Sequence, residues 1–139
     1  MLLFRPELLK RGIGAVKLML CYSQSTGKLT DNSGLYLGQG YSGHDEGKNQ
    51  PSYQQVPNVG PIPQGLWRIG QPYDSQHTGP FTLPLDPVAP DKCFGRSGFK
   101  IHGDSISSPG TASHGCIILP RHVRERVNAE PDRLIEVYP

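Results

Sequence analysis

Short apolar stretches separated by turn-forming residues recur along most of the chain. The apolar runs over 16–22, 66–69, 99–102 and 134–138 have strand length, and glycine, proline or polar residues bound them. The segment 34–43 alternates aromatic residues with glycine, which is typical of a strand that ends in a loop. The pattern predicts a mainly β domain built from short strands.

One segment has a helical pattern. Within 120–128, Val123 and Val127 lie four positions apart, and Pro120 stands where helices commonly begin. We therefore predict one short helix here. Its solvated face is expected to carry three arginines: Arg121, Arg124 and Arg126.

Two other segments constrain the sheet. Pro80 and Pro84 confine a strand over 81–85 to a sheet edge, because proline cannot donate a ladder hydrogen bond. Residues 44–53 are polar and without periodicity, which predicts a surface loop.

Composition narrows the function classes. Glycine and proline account for 17 and 14 of the 139 residues, too many for a helical bundle. The formal net charge of +2 is too balanced to indicate a nucleic-acid partner. Charged residues interrupt the apolar positions of 1–20, which predicts neither an export signal nor a membrane span. We expect a protein made in the cytoplasm.

The residues that carry chemistry concentrate in 101–119, which reads IHGDSISSPGTASHGCIIL. A thiol becomes a strong nucleophile when an imidazole takes its proton, so Cys116 and His102 are a candidate nucleophile and base. Gly115 permits a tight turn that would present the N–H groups of Gly115 and Cys116 to a substrate carbonyl. Gly103 permits close approach of a substrate beside His102.

The residues alone leave two other interpretations open. A lone buried cysteine such as Cys116 is usually a small hydrophobe, and a lone histidine such as His102 is usually a hydrogen-bonded structural residue. A metal site is the second alternative, although the ligand spacing matches no common zinc pattern. Its candidate ligands are His102, His114, Cys116 and His122.

The motif SHGC at 113–116, preceded by IHG at 101–103, resembles the signature of YkuD-type L,D-transpeptidases. Other stretches resemble more closely the type VI secretion L,D-transpeptidase/carboxypeptidase effector (Tlde) branch of that superfamily. These stretches are GYSG, VPNVGPIPQG, GFKIHGD and GCIILP. The resemblance covers nearly the whole chain, from about residue 18 to the C-terminal residue.

The resemblance implies a fold and a set of roles. The fold is a YkuD-like β-sandwich or barrel-like sheet with one short helix after the catalytic cysteine. Residues 1–15 form an N-terminal extension, and 16–139 form the L,D-transpeptidase-like catalytic domain. Cys116 is implied as the nucleophile and His102 as the general base. Backbone groups of 114–116 bind the oxyanion, and neither a metal ion nor an organic cofactor is implied.

Further site residues follow from the resemblance and from a departure in this chain. Ser113 and His114 would shape the site. Ile118 stands where many of these enzymes have arginine or asparagine, so a substrate carboxylate would need another partner. Arg96 and Arg121 are the candidates for that role. Independently of the resemblance, the aromatic residues Tyr41 and Trp67 are candidates for stacking on a sugar or peptide stem, with core or turn packing as the alternative.

The activity implied is that of an antibacterial enzyme acting on peptidoglycan stem peptides. It would cleave or exchange the terminal D-Ala of tetrapeptide stems through a cysteine thioester. A substrate in the periplasm and the missing export signal favour a secreted toxin, with a secretion-system carrier and a cognate immunity protein as partners. Two alternatives stay open: a non-catalytic peptidoglycan-binding module on the same scaffold, and a housekeeping or phage-derived cell-wall transpeptidase.

Overall fold

The computed structural model describes residues 19–139, and the extension predicted over 1–15 lies outside them. Within the described part, ten strands form one mixed sheet and one α-helix packs on it. The predicted fold class, mainly β with one short helix, is confirmed. None of the helices in residues 19–139 has the length and apolar character needed to cross a bilayer.

The elements follow one another with short connections. The strands are β1 (Leu20–Ser23), β2 (Lys28–Thr30), β3 (Tyr36–Gln39), β4 (Tyr41–Ser42), β5 (Gly65–Ile69), β6 (Tyr73–Ser75), β7 (Gly79–Pro87), β8 (Lys100–His102), β9 (Ile117–Ile118) and β10 (Leu134–Tyr138). The helix α1 comprises Arg121–Ala129, and single 3-10 turns cover Asp45–Gly47, Pro51–Tyr53 and Pro90–Lys92.

The sheet curls back on itself. Its strand order is β3-β2-β1-β10-β5-β7-β8-β9-β4, with β6 added beside β7. The strands at the two ends of this order, β3 and β4, are joined by the single residue Gly40. One continuous segment therefore supplies both ends of the sheet. Two of the pairs are parallel, β1 with β10 and β8 with β9.

Gly40 makes this closure possible. Its N–H donates to the Gly27 carbonyl at 2.9 Å, which continues the β3 side of the sheet. A Cβ atom at position 40 would overlap the carbonyl oxygen of Ile118 in β9. Only a residue without a side chain lets the backbone pass this close to β9.

The core lies inside the curled sheet and is formed by side chains from several of its strands. Five of its fully or almost fully buried side chains come from β1, β5, β8, β9 and β10: Leu20, Trp67, Ile101, Ile117 and Ile135. The Trp67 indole N–H donates to the Pro63 carbonyl at 3.1 Å, and its ring meets Phe99 edge-on at 5.0 Å between centroids. Trp67 is thus a core residue with its polar atom satisfied.

The prediction of an edge strand over 81–85 is wrong. β7 lies inside the sheet and is long enough to pair with β6, β5 and β8 along different parts of its length. Its prolines are tolerated because each still offers a carbonyl. That of Pro84 accepts the Gly70 N–H at 2.8 Å. The strands β6 and β9 were not predicted, because two or three residues carry too little periodicity.

The helix has the predicted position, but one of its arginines points inward. Val123 and Val127 are buried as predicted, and Arg121 is exposed. Arg124 is also buried, contrary to expectation. Its guanidinium donates to backbone carbonyls where β7 begins and β9 ends, those of Pro80, Phe81 and Leu119. Unpaired carbonyls at these strand ends account for the inward orientation.

We expect Gly40→Ala to lower the free energy of unfolding by roughly 3 kcal/mol, because the new methyl group forces β4 away from β9. Urea unfolding followed by circular dichroism measures the change. Gly34→Ala is the matched control. Position 34 has open space but a φ of +92°, so its cost is conformational alone, about 1–2 kcal/mol. Equal losses for both variants would contradict a steric role for Gly40.

Candidate active site

His102 and Cys116 lie on neighbouring parallel strands. His102 ends β8 and Cys116 directly precedes β9, where His102 is paired with Ile118. Side chains alternate along a strand, so Cys116 and Ile118 face the same side, which is also the side of His102. Both residues line one open cleft of about 750 Å³. The register thus brings the predicted base and nucleophile to one surface.

The cleft has two polar walls. The loop 103–112 forms one wall, and the turn between β6 and β7, with Gln76, His77 and Thr78, forms the other. A second cavity of about 340 Å³ also borders Cys116, together with Gly98 and Phe99. Cys116 therefore lines both cavities.

Hydrogen bonding determines which nitrogen of His102 is basic. Nδ1 lies 2.9 Å from the Gly103 carbonyl oxygen, which can only accept, so Nδ1 carries the hydrogen. Nε2 is then left with a lone pair that can take a proton. Burial lowers the pKa of His102, and the positive charges of Arg124 and Lys100 lower it further. The imidazole is therefore neutral at pH 7.

The thiol of Cys116 is neutral as well. Burial raises its pKa, an effect that the Lys100 backbone N–H and the charges of Lys100 and Arg96 partly oppose. Its sulfur lies 3.8 Å from the Gly98 carbonyl oxygen. A neutral thiol that shares a cleft with a neutral imidazole needs proton transfer to become a nucleophile, in contrast to a preformed thiolate–imidazolium pair.

Ser113 holds the turn that leads into Cys116. Its hydroxyl donates to the Cys116 carbonyl at 2.6 Å and accepts the N–H groups of Gly43 and Gly115 at 2.8 and 3.1 Å. All hydrogen-bonding capacity of this fully buried hydroxyl is used. Ser113 is therefore a support of the turn, with no free atom for a substrate.

Ser42 orients the peptide bond between Gly115 and Cys116. Its buried hydroxyl accepts the Ile62 N–H at 2.9 Å and donates to the Gly115 carbonyl at 3.0 Å. That carbonyl consequently points inward. The peptide is trans, so the Cys116 N–H points the opposite way. Within residues 19–139 this N–H has no acceptor, whereas the Gly115 N–H is already bonded to Ser113.

Gly115 itself has a conformation that side chains rarely adopt. Its φ is +136°, and a Cβ atom there would lie 2.5 Å from an Arg96 nitrogen and 3.0 Å from Phe99. The backbone at 115 is therefore restricted to glycine by both conformation and space.

His114 is exposed and borders both cavities. Its ring stacks on His44 at 4.7 Å between centroids. His44 Nε2 lies 3.3 Å from a carboxylate oxygen of Asp45. Nothing in the sequence pointed to His44, since stacking partners distant along the chain leave no local pattern.

A latch joins the loop 103–112 to β4. The Tyr41 hydroxyl donates to Asp104 at 2.6 Å and accepts the Ala112 N–H at 2.9 Å. Asp104 also accepts the N–H groups of Ser105 and Gly110, and these bonds lower its pKa. Burial and Asp104 raise the pKa of Tyr41 to about 12. Tyr41 thus anchors the wall of the cleft by its hydroxyl.

Three of the four predicted substrate-contacting residues, Tyr41, Trp67 and Arg121, line neither cavity. Trp67 is 1% exposed inside the core. Arg121 lies on the outer face of α1, where it pairs with Glu125 at 3.3 Å and covers the Phe81 ring at 4.7 Å. Arg96 does border the smaller cavity beside Cys116.

The described part of the chain offers no cluster of ligands for the metal site considered as an alternative. In residues 19–139, no three histidine, cysteine or acidic side chains converge as metal ligands. His122, one of the four candidate ligands, is exposed on α1.

Comparison with known proteins relates the chain to one family. A protein-family model described as the Tlde1 domain matches residues 38–134, well over half of the chain. The matched range includes His102, Cys116 and the supporting residues Ser42 and Ser113. No curated protein sequence gives a significant match.

The neutral state of Cys116 predicts how its alkylation depends on pH. Because burial raises the thiol pKa, the rate with iodoacetamide should rise with a midpoint above the ordinary cysteine value of about 8.5. Mass spectrometry of the peptide that contains Cys116 follows the reaction, with glutathione as the unperturbed reference. A midpoint in the acidic range would indicate a resting thiolate and contradict this prediction.

Proposed function

The chain belongs to the Tlde1 family, the family of type VI secretion L,D-transpeptidase effectors, and on that premise we propose that it is a cysteine enzyme acting on peptidoglycan stem peptides. Its activity is to cleave or exchange the terminal D-Ala of a tetrapeptide stem through a thioester. One observation carries the proposal: His102, with its basic Nε2, shares a cleft with Cys116, whose backbone N–H is unbonded within the described chain.

In the first half of the reaction, Sγ of Cys116 attacks the carbonyl of the third stem residue while His102 Nε2 takes the thiol proton. The Cys116 N–H stabilises the oxyanion that forms. The intermediate then collapses, the C–N bond breaks, and His102 returns the proton to the departing amine of D-Ala. The products of this half are a thioester and a free D-amino acid.

In the second half, an acceptor attacks the thioester. Water releases a tripeptide stem that ends in a new carboxylic acid, and the amine of a D-amino acid or of another stem releases the stem with a new amide. His102 takes a proton from the acceptor and returns it to the leaving thiolate of Cys116, which restores the resting pair. Hydrolysis and exchange thus share one thioester and differ in the acceptor.

The family premise supports delivery of this enzyme into a target cell as an antibacterial effector. Its substrate is in the periplasm, so a secretion-system carrier delivers it there. A cognate immunity protein protects the producing cell by covering the cleft. The open cleft of about 750 Å³ beside Cys116 is the surface such a protein would have to block.

The enzymatic proposal is tested by digesting purified tetrapeptide muropeptides and analysing the products by mass spectrometry. Wild type should yield tripeptides, or exchanged stems when a D-amino acid is supplied. Cys116→Ser and His102→Gln should lower the rate at least about 100-fold, because each removes a group that acts in the transition state.

Two matched controls accompany these variants. Cys21→Ser and His122→Gln change the same residue types outside both cavities and should keep the wild-type rate. If wild type binds sacculi but leaves tetrapeptides unchanged, the non-catalytic binding module is the correct interpretation instead.

The effector role predicts toxicity that depends on location. Gram-negative cells expressing the chain with a periplasmic export signal should stop growing or lyse, whereas expression without the signal should be tolerated. Cys116→Ser with the same signal is the control and should be harmless. Equal growth of cells with exported wild type and exported Cys116→Ser would exclude a catalytic toxin.

A further inference from the structure

Arg96 occupies an unusual place beneath the turn that precedes Cys116. It lies in the connection between the 3-10 turn Pro90–Lys92 and β8, many residues before the turn that leads into Cys116. Its guanidinium covers the Phe99 ring at 5.1 Å, a cation–π contact. Arg96 also borders the smaller cavity together with Cys116.

The guanidinium joins two backbone segments. Nη1 donates to the carbonyls of Gln54 and Pro61 at 2.6 and 2.8 Å. Nη2 donates to the carbonyls of Gly60 and His114 at 3.0 and 3.3 Å. Four of its five N–H groups are therefore used on carbonyls. Such a fork of donors is specific to arginine, since lysine presents a single ammonium.

These bonds complete the restraint of the two peptides before Cys116. The His114 carbonyl is bonded to Arg96, and the N–H of the same peptide is bonded to Ser113. The next peptide is held at its Gly115 carbonyl by Ser42. Hydrogen bonds thus restrain both peptide planes, and the second plane fixes the direction of the Cys116 N–H.

Arg96 also carries a charge that nothing in the described chain neutralises. Between residues 19 and 139 it forms no ion pair with a carboxylate. Burial without an anionic partner lowers its pKa, while the thiol groups of Cys116 and Cys93 raise it. A positive charge with no counterion stabilises negative charge that develops near it.

We propose that Arg96 is a positioning residue for the nucleophile: its guanidinium ties the His114–Gly115 peptide to the Gly60–Pro61 segment and so orients the Cys116 N–H. The same charge favours the thiolate form of Cys116. Arg96 consequently acts through the backbone and the local field, and within residues 19–139 its Nε–H group has no acceptor. This role rests on the proposed function for its effect on catalysis.

The test uses Arg96→Lys and Arg96→Gln in the full chain. Arg96→Lys keeps the charge but loses the fork, so kcat on tetrapeptide muropeptides should fall about 100-fold with KM changed less than about threefold. The pH midpoint of Cys116 alkylation should stay near that of wild type. Arg96→Gln loses both features, so kcat should fall at least as far and the alkylation midpoint should move upward.

Arg124→Gln is the matched control, since Arg124 is another arginine whose guanidinium donates to several backbone carbonyls. Its charge acts on His102 and, unlike that of Arg96, not on the Cys116 thiol, so the alkylation midpoint should move less than in Arg96→Gln. Circular dichroism checks that each variant is folded. If Arg96→Gln does not fold, Arg96→Lys decides alone through the separation of kcat from KM.

The outcomes are distinguishable from failure of the proposed function. An unchanged kcat in Arg96→Lys overturns the positioning role, and an unchanged alkylation midpoint in folded Arg96→Gln overturns the charge effect. If wild type cleaves no tetrapeptide, the proposed activity fails. The alkylation midpoints of the folded variants then still support or overturn the influence of Arg96 on Cys116.

Discussion

The passage of the backbone at Gly40 against the Ile118 carbonyl is the constraint on which the site depends. It lets one segment leave β2 and join β9, which closes the sheet around its core. Two residues farther on, Ser42 then reaches the Gly115 carbonyl. The crossing that closes the fold therefore also orients the peptide that ends at the candidate nucleophile.

The site combines a neutral candidate pair, His102 and Cys116, with positive surroundings. Burial keeps the pKa of His102 low and that of Cys116 high, so no charge separates at rest. The half-buried Arg96 and the buried Arg124 lie close by and bind backbone carbonyls. Burying a cation costs free energy unless its N–H groups are hydrogen-bonded and a negative charge nearby balances its own. Here backbone carbonyls accept hydrogen bonds from the guanidinium N–H groups. In the proposed reaction, the negative charge of the thiolate and of the oxyanion would balance the positive charge.

Local patterns predicted much of the fold and failed where long-range contacts decided. The strand over 134–138 and the helix with Val123 and Val127 were predictable, because their apolar spacing is the burial pattern itself. The position of β7 inside the sheet was not predictable from the sequence. Its prolines indicate an edge strand when only the local sequence is considered, whereas its pairing depends on strands far along the chain. The exposed position predicted for Arg124 was wrong for the same reason, because its guanidinium donates to a carbonyl far along the chain.

The sequence by itself determined which residues can carry the chemistry. A glycine-flanked cysteine and an upstream histidine, in motifs resembling one superfamily, pointed to the Tlde family that the comparison confirms. The tertiary structure alone decided the tautomer of His102, the direction of the Cys116 N–H and the partners of Arg96. Residue types and spacing limit what a side chain is able to do. Burial and hydrogen bonds between distant segments set its protonation and orientation, and these exist only once the chain has folded.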